Sequence, residues 1–230
     1  MVQQNKEGIM KSSIFYNDHY QQIEINLKTF LNSQDRGDLG LSTTVREAGD
    51  RIKAVLSENL AQLLGTHVKQ FEIPQSARAM ANFQFTDQDN LNYFVDVVTH
   101  NEEKKFSMPN ITSVDRLEKL YQNDKNIFVV LLIDYKPSKT SNFISNVSFL
   151  PVEFFAWDCL TIGALGIGQL QIKRASRVIK VIKNSRKNWM REFSEHLMIF
   201  YAKETSKTAK RLTNAADLLA VWKSKTDIWI

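Results

Sequence analysis

Ala81-Asn82-Phe83-Gln84-Phe85-Thr86, Asp87-Gln88-Asp89-Asn90, and then Leu91-Asn92-Tyr93-Phe94-Val95-Asp96-Val97-Val98-Thr99-His100 form the stretch from which the fold is read. Both flanks are rich in aromatic and β-branched residues, and the polar residues 86–90 between them have the composition of a hairpin loop. Two strands, 79–85 and 91–99, are expected. Side chains two apart on a strand share a face, so Asp96 and Val98 point the same way.

Outward from this hairpin, the pattern alternates between helix and strand. Residues 44–64 place Val45, Ala48, Ile52, Val55, Leu56, Leu60, Leu63 and Leu64 on one helical face, with Ser42 or Thr43 as the N-cap and Gly65 as the C-cap. A helix is expected over 13–31, ended by the turn residues of 33–40, and residues 1–12 are expected to fray. Strands are expected at 67–73, 127–135 and 147–152, a short helix at 113–121, and a short alternating segment at 169–173. A basic helix spans 186–222. Helices before and after a central mixed sheet make a single α/β domain over residues 1–230.

The 230 residues are 43% hydrophobic and 24% charged, enough for a full core without staples. The lone Cys159 cannot form an internal disulfide, and the four scattered histidines show no metal-site spacing. A reducing, cytoplasmic compartment is the simplest expectation, and no apolar run approaches the roughly 20 residues of a membrane-spanning helix. Charge is unevenly spread. Residues 171–230 hold 14 Lys and Arg against 5 Asp and Glu, a net +9, whereas the first 170 hold 16 against 20, a net −4. A concentrated basic region is the footprint of a polyanion such as nucleic acid, or simply a solvated helical face.

The hairpin resembles the core of PD-(D/E)XK nucleases, in which an Asp on one strand and a D/E-x-K tripeptide on the next meet at one sheet edge. Its extension resembles type II restriction endonucleases of the HincII kind. Asp96-Val-Val-Thr-His-Asn is followed by Met108-Pro109-Asn110-Ile111-Thr112-Ser113, as an Asp-Val-Lys-Thr tract is followed by Pro-Asn-Ile in that family. Further on, the short-residue run from Ile162 ends in Gln169-Leu-Gln171-Ile-Lys173, and Arg186-Lys187-Asn-Trp189 leads into the last helix. The resemblance covers residues 45–215 in islands. It implies a restriction-endonuclease-like (PD-(D/E)XK) fold, a homodimer on a palindromic double-stranded DNA site, and Mg²⁺-dependent phosphodiester hydrolysis. Asp96 and Asn82 would hold the metal, and Asn110, Gln169, Gln171, Lys173, Arg186 and Lys187 would contact DNA.

Several positions depart from that pattern. Asn82 stands where the family has its first Asp, Val98 where it has the lysine, and Lys53 where relatives often have Glu. Two classes of function follow. Either the chain is a nuclease whose missing groups come from His100, Lys104, Lys105, Glu47 or Asp50, or it is a DNA-binding homologue, natural or engineered, that does not cut. His100 at the strand end is a candidate general base or phosphate contact, or else a solvated histidine. The Gly163-x-x-Gly166-x-Gly168 run lacks the Gly-Lys-Ser/Thr ending of a phosphate loop and fits a close backbone approach to DNA or a tight turn. Cys159 is expected to be a small buried hydrophobe.

Overall fold

The computed structural model describes residues 11–41, 44–76, 79–104, 109–141, 143–163, 168–173 and 179–223. By its contacts the chain divides into two compact units, Met1–Asn184 and Ser185–Ile230. The first is an α/β unit whose main sheet is mixed and five-stranded, in the order β1-β2-β3-β5-β6. These strands are β1 (Gln70–Glu72), β2 (Phe83–Thr86), β3 (Asn92–Asn101), β5 (Asn126–Tyr135) and β6 (Ile144–Pro151). All neighbours are antiparallel except β3 and β5, which run parallel from Asn92↔Asn126 to Asn101↔Tyr135. A parallel pair needs a crossover, supplied here by β4 (Asn110–Ser113) and α4 (Val114–Leu120). Strand β5 lies between β3 and β6 and every residue after Asn126 is buried, which is why it reads as an unbroken apolar run rather than an alternation.

Three helices, α1 (Ser13–Tyr16), α2 (His19–Ser33) and α3 (Val45–Leu64), precede the sheet in the chain. Phe15 packs between Tyr93 of β3 and Phe149 of β6, with ring centroids 6.0 and 5.8 Å away. Glu24 of α2 accepts a 2.7 Å hydrogen bond from the Phe149 amide. Helix α3 buries Ala48, Ile52, Leu56, Leu60 and Leu64, a four-residue repeat. The larger of these contribute about 1.5–3 kcal/mol each by leaving water. Gly49 lets the helix come close to the sheet, because a Cβ there would stand 3.0 Å from Thr99 Oγ1.

The β2–β3 hairpin forms, although β2 covers Phe83–Thr86 rather than the expected 79–85, and its loop is tied by one buried side chain. Asp87 Oδ1 accepts from the amides of Asp89 and Leu91, both at 2.9 Å, while Oδ2 accepts from the Tyr93 hydroxyl at 2.6 Å. A second, three-stranded sheet in the order β4-β8-β7 is formed with β7 (Leu160–Gly163) and β8 (Gln169–Ile172). It pairs Asn110 with Gln171, and Ser113 with Gln169.

Several expected boundaries move. The helix expected over 13–31 breaks in two at Asp18, whose left-handed φ of 64° interrupts it. The strand expected at 67–73 shortens to β1 because Gly65–His67 form a turn of 3₁₀ helix. The cap of α3 is Thr44, whose hydroxyl accepts from the Glu47 amide. The alternatives Ser42 and Thr43 lie outside the described residues, as do residues 1–10 of the expected frayed end. Ser12 is not frayed, since it is buried and its hydroxyl is 2.7 Å from that of Tyr93.

The second unit contains α5 (Arg186–Lys223), a single 38-residue helix. Trp189, Phe193 and Leu197 are buried, with the Trp189 and Phe193 rings stacked 5.5 Å apart. Beyond them Met198, Leu212, Leu218 and Leu219 are all more than half exposed. No described helix is long and apolar enough to cross a membrane.

Candidate functional site

Asp96 sits near the middle of β3, and Asn82, just before β2, grips the strand on either side of it. The Asn82 amide donates to the Val95 carbonyl at 2.9 Å, and Asn82 Oδ1 accepts from the Val97 amide at 2.8 Å. The side chain thus supplies a rung of hydrogen bonding where the β2 backbone leaves the ladder. Val98, on the face of Asp96, is only 7% exposed.

Asp96 opens into a polar cavity of about 280 Å³, lined also by Ala79, Met80, Ile111, Thr112, Ser113, Arg116 and Gln169. Residues from β3, β4, α4 and β8 meet there, so the second sheet forms one wall of a cavity whose other wall is the main sheet. Burial pushes the Asp96 carboxyl up to about 7, against the opposing pull of the Lys53 charge, the Val97 amide and the Arg116 charge. Thr112 is 6% exposed and its Oγ1 has no hydrogen-bond partner. Arg116 and Thr112 are functional candidates that sequence reading missed, because nothing in the spacing from Asp96 shows that α4 and β4 fold back over the hairpin.

The expected DNA-contacting residues divide between two places. Gln169 lines the cavity, and Gln171, two residues along β8, donates from Nε2 to Asn110 Oδ1 at 2.6 Å. The Gln171 side chain lies across Gly163, where a Cβ would collide with its Oε1 at 2.4 Å. That contact gives Gly163 a packing role, while residues 164–167 of the glycine run lie outside those described. Lys173 follows β8, with Nζ 3.5 Å from the Trp157 carbonyl. Arg186 and Lys187 begin α5, in the other unit.

His100 is not a solvated loop histidine. It lies in β3, partly buried, with Nδ1 3.0 Å from Asp134 Oδ1. The paired register continues across the sheet to Asn146, whose amide donates to Asp134 Oδ2 at 3.2 Å. Glu102, Ser148, Ile179 and Val181 help line the cavity of about 480 Å³ around this row. Four residues of strand, or about 13 Å, separate His100 from Asp96. Among the other proposed substitutes, Glu47 is paired with Arg51 at 2.9 Å, Asp50 and Lys104 are exposed, and Lys105 lies outside the described residues. Cys159 is buried, with its sulfur accepting from the Lys180 amide.

These residues do not fit a Mg²⁺ site. Asp96 is a single carboxylate whose charge is disfavoured by burial, Asn82 Oδ1 is committed to the backbone, and the charges that act on Asp96, those of Lys53 and Arg116, are positive. Among the described residues no group of three His, Cys, Asp or Glu side chains is placed to hold a metal ion. No protein-family model matches the chain, and no curated protein matches its sequence.

Proposed function

We propose that the chain is a double-stranded DNA-binding protein with a restriction-endonuclease-like (PD-(D/E)XK) fold that recognises a short specific site and does not cut through its β2–β3 hairpin. One observation carries the reading. Asp96 and Gln169, which the resemblance picks out more than 70 residues apart in sequence, line one cavity together, and Asn110 and Gln171 extend the same β4-β8 pairing. A resemblance drawn by chance from short islands has no reason to bring its residues to one place.

The chemistry divides accordingly. The Asn110–Gln171 amide pair is held in a fixed orientation, and its remaining donors and acceptor suit the edges of bases in the major groove. The basic residues Lys203, Lys207, Lys210 and Arg211 recur on one face of α5 and suit phosphate contacts, which provide affinity without sequence information. A homodimer would read a palindrome. Hydrolysis lacks its parts, since the lysine position is Val98 and the metal-ligand position is a backbone brace.

The test is selection of bound duplexes from a random-sequence pool by the purified 230-residue chain in EDTA, followed by sequencing. Enrichment of one short, two-fold symmetric motif is expected. Retention of no duplex, or of duplexes without a common motif, would overturn the reading.

A further inference from the structure

Helix α5 carries a surface with the pattern of a two-helix seam. Met198, Tyr201, Thr205, Thr208, Leu212, Ala215 and Leu219 follow one another at alternating steps of three and four residues, the spacing that keeps one line along a helix facing a neighbour. All seven are exposed, Met198 and Leu212 by 72% each. Ala202, Ala209 and Ala216 run beside this line at seven-residue intervals and are small enough to let a second helix approach closely. Every charged residue between 198 and 219 lies off the line, at Lys203, Glu204, Lys207, Lys210, Arg211 and Asp217. A helix that exposes Leu, Met and Tyr along a charge-free line about 30 Å long has the surface of one half of an interface.

We propose that this face of α5 pairs with the same face of a second copy of the chain, the two helices running antiparallel. The inference goes beyond the DNA-binding reading and does not depend on it. Charge selects both the occupant and the register. Glu204 and Arg211 stand seven residues apart on one flank of the line, next to Thr205 and Leu212. In an antiparallel pair with Thr205 level with Thr208 of the second copy, Glu204 of each copy meets Arg211 of the other, giving two ion pairs related by a two-fold axis. Within the helix Glu204 Oε1 takes Lys207 Nζ at 2.6 Å, which leaves Oε2 for the arginine across the seam. The same register sets Met198 against Ala215 and Tyr201 against Leu212. Sliding the helices by one repeat brings Glu204 to Glu204 or Arg211 to Arg211, and a parallel pair sets both beside alanines. A helix of an unrelated protein has no reason to match this self-complementary arrangement. Pairing by this face leaves Lys203, Lys207 and Lys210 on the far side of each helix.

The experiment is sedimentation equilibrium of the purified 230-residue chain, without DNA, over a range of protein concentrations. The wild type is expected to show a monomer–dimer equilibrium. Leu212→Glu places a charge at a position exposed in the single chain, so its melting temperature at concentrations where the wild type is monomeric is expected to be unchanged. Its dimerisation is expected to weaken at least about a hundredfold, because both copies lose a leucine from the seam. Glu204→Arg and Arg211→Glu are each expected to weaken dimerisation about tenfold, since two like-charge contacts replace two of opposite charge. Mixed in equal amounts, with one of them fluorescently labelled, these two variants regain both pairs, and a heterodimer of wild-type affinity is expected.

A wild type that stays monomeric at the highest concentration overturns the proposal, and sedimentation of that monomer with anionic lipid vesicles would give the face to a membrane surface instead. A dimer that Leu212→Glu leaves intact overturns it too, by placing the contact elsewhere. A dimer that Leu212→Glu breaks, but that mixing the two charge variants does not restore, overturns the antiparallel register. With no DNA present, none of these results bears on the DNA-binding reading, whose failure shows in the duplex selection alone.

Discussion

Replacing Asn82 separates a structural brace from a metal ligand. Its Oδ1 accepts the Val97 amide at 2.8 Å, and Val97 is 5% exposed, so no water can readily replace the lost partner. Asn82→Ala leaves that donor only the neighbouring Asp96 carboxyl, at a cost of about 1 kcal/mol. For a protein of this size each kcal/mol lowers the melting temperature by roughly 2–4 °C. Urea denaturation should show a lower midpoint with an unchanged slope, the sign of lost stability without a change in exposed surface. Asn82→Asp keeps the acceptor but sets a second carboxylate beside Asp96, so its stability should lie between wild type and Asn82→Ala. If Asn82→Ala unfolds within about 0.3 kcal/mol of wild type, the side chain is not committed to the strand, and the argument against a metal site loses its main support.

Three further outcomes follow from particular contacts. Glu24 has its carboxyl raised by burial to about 7, so between roughly pH 4.5 and 7 the folded state holds a proton that the unfolded state has lost, and stability falls as pH rises through that window. Partial exposure limits the effect to about 1–2 kcal/mol. Glu24→Gln keeps the acceptor for Phe149 and should flatten this slope in urea titrations at pH 5 and pH 8, whereas an unaltered slope would assign it to another group. Gly163→Ala should displace Gln171 from Asn110, lowering affinity for the selected duplex by about 1–3 kcal/mol while affinity for unrelated duplexes stays the same. Equal loss on both would remove that amide pair from base recognition. Asp87→Ala removes three acceptor contacts from the hairpin loop and should cost at least about 2 kcal/mol in thermal or urea unfolding, and a neutral result would mean that the loop is held by other bonds.

What could be read in the sequence follows from how local each signal is. Helix α3 and strands β3 and β5 carry their own evidence, a four-residue repeat in one case and runs of β-branched and aromatic residues in the others. Strands β4 and β7 do not. Each is four residues long, and their pairing through β8 joins segments about 50 residues apart, so no window of sequence shows it. The break at Asp18 was also hidden, because the apolar spacing of α1 and α2 runs on across it.

The candidate site shows the same division. Asp96, Asn110, Gln169 and Gln171 were legible through resemblance, and so were the departures from that pattern at positions 82 and 98. What Asn82 does could not, since its bond to Val97 depends on where β2 departs from β3. His100 was legible as a strand-end histidine, but its partner Asp134 comes from the register of a parallel strand 34 residues later. Arg116 and Thr112 were invisible for the same reason, being brought to Asp96 by the β4–α4 crossover rather than by spacing.

The central claim, binding without cutting, is tested most directly by incubating the 230-residue chain with its selected duplex in parallel with EDTA, Mg²⁺ and Mn²⁺, and by following binding and strand scission in the same samples. The account predicts equal binding in all three and intact strands throughout. Metal-dependent scission at a defined position, abolished by Asp96→Asn, would contradict it.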